Sequence, residues 1–479
     1  MLSDHIATQI YSYFGFEPTL EQKNLIAALA SYIVSSGEDS LFVVNGYAGT
    51  GKTTLIGALV KALGQMEIKS VLMAPTGRAA KVMSGYCDTP AFTIHKKIYR
   101  QKKLDGEQAL FDLNINKDNN TIYIVDEASM LSNNPSETSA FGSGRLIDDM
   151  IDYIRTGRDN RLIIVGDDAQ LPPVGFDFSP ALNPLHMERY GTVDYASLTE
   201  VVRQGKDSGI LHNATAVRRM LDDGEIGFPD FDTDFKDIFR IPGSRLMESL
   251  QDSYASHGTE GTAIVTRSNK RANRYNQGVR ASILGYDEEI CSGDILMVVK
   301  NNYFYVGQDE SSGLEFIANG DVAVVRRIYG TEEVYGFRFA EVKLSFPDYG
   351  DYQMECLIML DTLHSESPSL TREQSSRLFY AIEEDYLNIK NRSKRYKEIQ
   401  QNKYYNALQV KFGYAATCHK AQGGQWPNVF VDTMIFGDEQ MTRDFQRWMY
   451  TAITRATEKL YLVNWDKRFF GGRELEEEW

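Results

Sequence analysis

Eight consecutive residues, Gly46-Tyr47-Ala48-Gly49-Thr50-Gly51-Lys52-Thr53, place three glycines, an ammonium and a hydroxyl at the spacing Gly-x-x-x-x-Gly-Lys-Thr. In that pattern the backbone N–H groups from Gly46 through Ala48, Gly49, Thr50 and Gly51 can wrap phosphate oxygens. Lys52 neutralises the β and γ oxygens, the Thr53 hydroxyl can ligand magnesium, and Thr54 is counted with the loop. The bland reading is a chance glycine-rich turn. The apolar run Leu41 to Val44 before it and the helix-like stretch Thr53 to Leu63 after it argue for a phosphate-binding loop.

Such a loop needs a carboxylate site, since Mg²⁺ takes oxygen ligands and a water must be positioned for attack on the γ-phosphate. Ile122 to Val125 is followed by Asp126-Glu127. Asp126 would hold Mg²⁺ through water, and Glu127 would orient and activate the attacking water. A solvated strand end or helix cap is the alternative. Leu162 to Val165 leads into Gly166-Asp167-Asp168-Ala169-Gln170-Leu171-Pro172-Pro173, which puts an amide, Gln170, just past the next strand. An amide there can read the γ-phosphate and report its loss. A surface glutamine closing a Pro-Pro loop fits equally well. ATP and Mg²⁺ are the expected ligands.

Positioning these groups requires a particular kind of sheet. Short apolar runs recur at Val71 to Met73, Ala263 to Val265 and Val429 to Val431, with helix-like stretches such as Gly77 to Met83 among them. This alternation predicts an α/β fold with parallel sheets, whose ligands lie beyond the carboxyl ends of the strands. It breaks twice. Lys96 to Leu104, Asp105-Gly106 and Glu107 to Phe111 read as a β-hairpin with a tight turn. From Gly293 to Lys403, Gly293 to Met297 and Asn319 to Val325 resemble strands of a small barrel, followed by a charged helical stretch near Thr371 to Gln401.

With 51 Lys and Arg against 66 Asp and Glu, the net charge of −15 argues against a passive nucleic-acid coat but permits a local basic track. Lys390, Arg392, Lys394, Arg395, Lys397 and Lys403 form one basic stripe, readable as a charged helix face or as contact with a nucleic-acid strand. No apolar run approaches the roughly 20 residues of a membrane span, and Met1-Leu2-Ser3-Asp4 lacks a basic lead into a signal core, so a cytoplasmic location with no membrane partner is expected. Four scattered cysteines signal neither disulfides nor a zinc site.

The ordered set of motifs is more specific than its parts. Thr19-Leu20-Glu21-Gln22, the phosphate loop, Ala74-Pro75-Thr76-Gly77-Arg78-Ala79-Ala80, Thr93-Ile94-His95 and Asp126-Glu127-Ala128-Ser129 are followed by Gly166 to Pro173 and Leu198-Thr199-Glu200-Val201-Val202-Arg203-Gln204. Thr417-Cys418-His419-Lys420-Ala421-Gln422-Gly423 and Tyr450-Thr451-Ala452-Ile453-Thr454-Arg455-Ala456 complete it. This set resembles the superfamily-1 DNA helicases of the RecD-like and Dda-like branch, 5′-to-3′ motors. The resemblance implies two tandem RecA-like P-loop domains, residues 1–200 and then 201–292 with 409–479. A β-hairpin insertion at 96–120 interrupts the first, and an SH3-like β-barrel with a helical insertion at 293–408 interrupts the second.

It also implies roles. Gln22 would read the adenine edge, Arg203 and Arg455 would be arginine fingers on the γ-phosphate, and Gly423 would join the nucleotide set. Pro75, Thr76, Thr93, His95, Thr266, Asn269, Thr417, His419 and Lys420 would contact single-stranded DNA, although His95 alone reads as readily as a helix-cap histidine. The hairpin occupies the place of a duplex wedge, with Leu104 or Phe111 at its tip. The implied partners are single-stranded DNA and single-strand/duplex junctions, with a monomer as the working unit. Other readings are a protein-displacing translocase, a subunit of a recombination complex and a small-molecule P-loop kinase. The kinase would leave Arg455 and Thr417 to Gly423 without purpose.

Overall fold

The computed structural model describes residues 2–35, 37, 39–101, 111–134, 141–202, 207–306, 316–433 and 437–474. Two parallel sheets and a closed barrel organise it. The first sheet runs in the order Ala91–Thr93, Lys69–Ala74, Thr121–Val125, Arg161–Gly166, Ser40–Gly46, Thr192–Leu198. Three of these strands, Ser40–Gly46, Thr121–Val125 and Arg161–Gly166, are apolar and buried on both faces, as parallel strands covered by helices must be. The helix Lys52–Gln65 closes one face through Leu55, Ile56, Leu59, Val60 and Leu63.

The second sheet runs Ala415–Thr417, Thr262–Thr266, Trp426–Asp432, Ala456–Val463, Ile238–Ile241, again all parallel. Between Thr266 and Ala415 the chain leaves it to build a five-stranded closed barrel from Ile295–Val298, Val322–Val334, Phe337–Phe346, Tyr352–Met359 and Leu408–Phe412. Tyr335 and Gly336, at φ of 57° and 71°, supply the two left-handed residues that a tight hairpin between the long strands requires. Helices Arg372–Asp385 and Arg392–Gln400 pack on the barrel's outside.

Two sequence expectations shift. The run at Val410, read as the return to the second sheet at residue 409, instead closes the barrel by pairing with Ile295–Val298, and the sheet resumes at Ala415. Periodicity cannot say which sheet a buried apolar strand joins. Lys96 to Ile98, read as hairpin strand, finish the helix Ile94–Ile98, because the Thr93 hydroxyl accepts the Lys96 N–H at 3.2 Å and caps it. The antiparallel arms are Tyr99–Gln101 and Phe111–Leu113. The Asp105-Gly106 turn and Leu104 lie outside the described residues.

Candidate active site

The phosphate loop follows the strand Ser40–Gly46 as its spacing requires. Gly49 and Gly51 hold φ of 75° and 81°, and a Cβ on Gly51 would sit 2.8 Å from the Gln22 Nε2. Gly51 begins the helix without a side-chain cap, so the first-turn N–H groups are left to an anion. The Lys52 ammonium folds back onto the carbonyls of Gly46 at 2.6 Å and Tyr47 at 2.8 Å, within a short swing of the loop's mouth.

Asp126 and Glu127 emerge from the end of Thr121–Val125, and Asp126 Oδ1 accepts the Glu127 N–H at 2.8 Å. Glu127 is left-handed at φ 52°, a strained position for a residue with a Cβ. Burial, and then the neighbouring Glu127 charge, push the Asp126 carboxyl upward, while Lys52 opposes them. Glu127 Oε2 and Gln170 Oε1 are buried with no hydrogen-bond partner among the described residues. Buried polar atoms are almost always satisfied, so these orphans fit a site completed by a ligand and its waters. A γ-phosphate with a hydrated Mg²⁺ fits this donor set, with Thr53 and Asp126 as the metal-side oxygens.

The second domain closes over this face through residues that the motif reading had not singled out. The Tyr450 hydroxyl, on the helix Arg443–Ile453, accepts the Ala48 N–H of the phosphate loop at 2.8 Å and donates to Asp167 Oδ2 at 2.5 Å. Arg218, on the helix Gly209–Asp223, donates to Asp167 at 2.8 Å and Asp168 at 2.5 Å, and its guanidinium lies 4.4 Å from the centre of the Tyr47 ring. Burial raises the Asp167 carboxyl, and Lys52 and Arg218 counter it. Both backbone groups of Leu171 are also taken: its N–H donates to Thr451 Oγ1 at 2.8 Å and its carbonyl accepts from Gln422 at 2.7 Å. The loop Asp167 to Leu171, which carries Gln170, is therefore gripped from the opposite domain. Tyr450, Thr451 and Gln422 stood inside quoted motifs. The signal for Arg218 was its placement four residues before Asp222, with which it also pairs.

Other expected nucleotide residues are placed differently. Gln22 is buried, with its amide shared between the Thr19 N–H and the Thr50 carbonyl, so in this state it braces the phosphate loop. Glu21 beside it accepts the Thr199 and Glu200 N–H groups. Arg455 is buried and donates to the Thr451 and Gly424 carbonyls of its own domain, so it does not reach the phosphate loop here. Arg203 lies outside the described residues. Gly423 lies against the first domain: a Cβ there would meet Ala79 Cβ at 3.0 Å and Thr76 Oγ1 at 3.2 Å, so its bareness serves close approach to the helix Gly77–Cys87.

Comparison with known proteins is consistent with this architecture. Residues 19–226 match the profile of an AAA domain family and residues 412–463 that of the UvrD-like helicase C-terminal domain. The chain is 25% identical over 451 residues to the ATP-dependent DNA helicase dda of Enterobacteria phage T4, covering 88% of this chain and 93% of that protein. It is 29% identical over 163 residues to the ATP-dependent RecD2 DNA helicase of Deinococcus radiodurans, covering 33% of this chain and 19% of that protein. The chain belongs to the superfamily-1 helicases of the RecD/Dda type. Among solved structures, a Pif1 helicase from Bacteroides in complex with ADP-AlF3 and ssDNA is 14% identical, covers 95% of this chain and 94% of that one, and gives a TM-score of 0.48.

A cavity of about 770 Å³ is lined by Thr76 and Arg78 of the first domain, His419 and Lys420 of the second, and Met297 and Asn319 of the barrel. Arg78 crosses the interface to lie 3.9 Å from the Trp426 ring centre. Thr417 caps its short helix without using its hydroxyl, and Asn269 is half-buried at a helix start, so both keep polar atoms in reserve. Pro75 and Thr76 are half-buried, and Thr76 caps the helix Gly77–Cys87. Thr266 corrects the sequence reading: it is fully buried, and its hydroxyl donates to the Ser268 carbonyl. Thr93 is buried as a helix cap. His95 packs edge-on to Phe141 at 4.9 Å, and burial pushes its imidazole down to about 4, so any contact it makes is made by the neutral ring.

Phe111 cannot be a wedge tip. It is buried in a cluster with Phe141 at 4.7 Å and the barrel's Tyr303 at 4.7 Å, which anchors the hairpin base to the barrel. No helix among the described residues is long and apolar enough to cross a membrane.

Proposed function

We propose that the chain is an ATP-dependent DNA helicase that moves 5′ to 3′ on single-stranded DNA and separates duplex at its hairpin, with ATP hydrolysed between the two sheet domains. One observation carries this reading. The loop Asp167 to Leu171, which carries Gln170, is bonded to Tyr450, Thr451, Gln422 and Arg218 of the other domain. A change at the phosphates therefore reaches the relative position of the two domains directly.

Lys52 leaves the Gly46 and Tyr47 carbonyls for the phosphate oxygens, and Glu127, whose Oε2 has no partner among the described residues, accepts a proton from the attacking water. Magnesium, when bound beside Thr53 and Asp126, supplies neutralisation of the developing phosphate charge. Gln170 holds the water or the γ oxygen and loses its partner when phosphate departs. Arg203 and Arg455 serve as the arginine fingers in the closed state. For Arg455 this requires release from the Thr451 and Gly424 carbonyls, a rotation that the domain movement would drive.

Thr76, His419 and Lys420 line the cavity between the domains, with Pro75 next to Thr76 and Thr417 next to the lining Ala416 in the chain, and this grouping supports a single-strand track there, to which Asn269 is added from its motif. The test is ATP hydrolysis with and without single-stranded DNA, alongside strand separation of a tailed duplex. Hydrolysis indifferent to DNA would rule the reading out.

A further inference from the structure

We infer that the two helices on the barrel's outside carry a second nucleic-acid surface, which holds the strand displaced at the hairpin. The inference rests on the helicase reading. It begins with charge. Between Tyr386 and Tyr405 six cations stand against a single carboxylate, Glu398, in a chain of net charge −15. Two of the cations are internally paired: Arg395 with Glu383 at 2.9 Å and Lys403 with Glu332 at 3.7 Å. Asp385 of the preceding helix is held by the Tyr335 hydroxyl. Lys390, Arg392, Lys394 and Lys397 are all exposed and meet no carboxylate among the described residues. A merely solvated face usually alternates its signs. Here the like charges repel one another unless an anion lies across them.

Aromatic rings adjoin the cations. Tyr396 sits between Lys394 and Lys397 and packs 5.6 Å from Phe379, whose ring also touches Tyr380 and Tyr405. Tyr380 is 63% exposed. Cations on one helix and an exposed ring on its neighbour, joined through Phe379, suit a strand with unpaired bases, which can stack, whereas duplex bases are already stacked on each other.

Location selects the strand. The helices pack through Leu378, Ile382 and Ile399 on Phe337, Phe339 and the neighbouring barrel residues, against which Tyr305 also lies. Two residues earlier Tyr303 packs on Phe111 at the hairpin base. The stretch 303–305 thus joins the hairpin to the helix pair, of which the second helix carries the cations. The cavity between the domains meets a different part of the barrel, at Met297 and Asn319. The strand excluded at the hairpin is the one left to meet this surface.

The test compares Arg392→Ala/Lys394→Ala/Lys397→Ala with the unsubstituted protein on two fluorescent DNAs: a fork with both tails, and the same duplex bearing only the loading tail. The variant should bind the fork about tenfold more weakly, with a salt dependence flatter by about two counterions. Its affinity for the singly tailed duplex and its single-strand-stimulated ATP hydrolysis should be unchanged. Tyr380→Ala should weaken fork binding alone, by a smaller factor. Equal fork affinity in the triple variant would overturn the inference, as would equal losses on both DNAs, which would assign the patch to duplex. Failure of the helicase reading would look different, as no stimulation by DNA in the unsubstituted protein.

Discussion

The Tyr450 hydroxyl accepts the N–H of Ala48 across the domain boundary at 2.8 Å while donating to Asp167. A side chain of the second domain therefore rests on the phosphate loop itself. Phosphate binding and domain position are joined through one oxygen atom.

Removing that oxygen should uncouple the two. Tyr450→Phe keeps the ring and its packing but leaves a loop N–H and a buried carboxylate oxygen without their partner, at a penalty of about 1–3 kcal/mol. DNA-stimulated kcat should fall about tenfold or more while KM for ATP changes little. Steady-state hydrolysis across single-strand concentrations checks this, and an unchanged stimulation ratio would exclude a coupling role.

Arg218 lies beneath Asp167 and Asp168 with its side chain 5% exposed. Arg218→Ala abandons a buried carboxylate, so a loss of about 3–5 kcal/mol is expected on chemical denaturation. Lys in its place should recover only part, because one ammonium cannot span two carboxylates as a guanidinium fork does. Asp168→Asn, at a half-exposed position, should lose much less. Full rescue by lysine would contradict the bidentate account.

Asp321 offers a pH test. It is buried in the barrel, where its carboxylate accepts from the Ala318 N–H at 2.7 Å and the Tyr349 hydroxyl at 2.9 Å, and burial pushes its carboxyl up to about 7. A folded value above the unfolded one means that the folded state binds the proton more tightly. Its destabilising charge is thus absent in acid and fully expressed above about pH 7, with a slope of at most about 1.4 kcal/mol per pH unit between. Asp321→Asn should gain in Tm relative to the unsubstituted protein as pH rises from about 5 to about 8. A difference independent of pH would show that the carboxylate is ionised throughout.

Much of this was legible in the sequence because it depends on local chemistry. The strand before Gly46, the left-handed Gly49 and Gly51, and the Asp126-Glu127 step all follow from residue type and spacing. What the sequence hid was which partner each group meets. Nothing near Phe111 marked it as core, since its ring is buried by Tyr303, which comes from the barrel nearly two hundred residues later. Thr266 and Gly423 carried the right motifs but face the protein interior and a neighbouring helix. Tyr450 and Arg218 became visible only once the two domains were set face to face.

Glu127→Gln should separate binding from turnover. The variant keeps the shape of the site and the affinity for ATP, but it loses the base, so kcat should drop by at least about a hundredfold. A fluorescent nucleotide analogue and phosphate release report the two quantities. Retained turnover would move the base elsewhere.

The central claim is that hydrolysis at Lys52 drives one-way movement. It is tested most directly by strand separation on duplexes bearing either a 5′ or a 3′ single-stranded tail, with Lys52→Ala as control. The account predicts ATP-dependent separation of the 5′-tailed duplex and none by the variant. Separation of only the 3′-tailed duplex, or equal separation by Lys52→Ala, would contradict it.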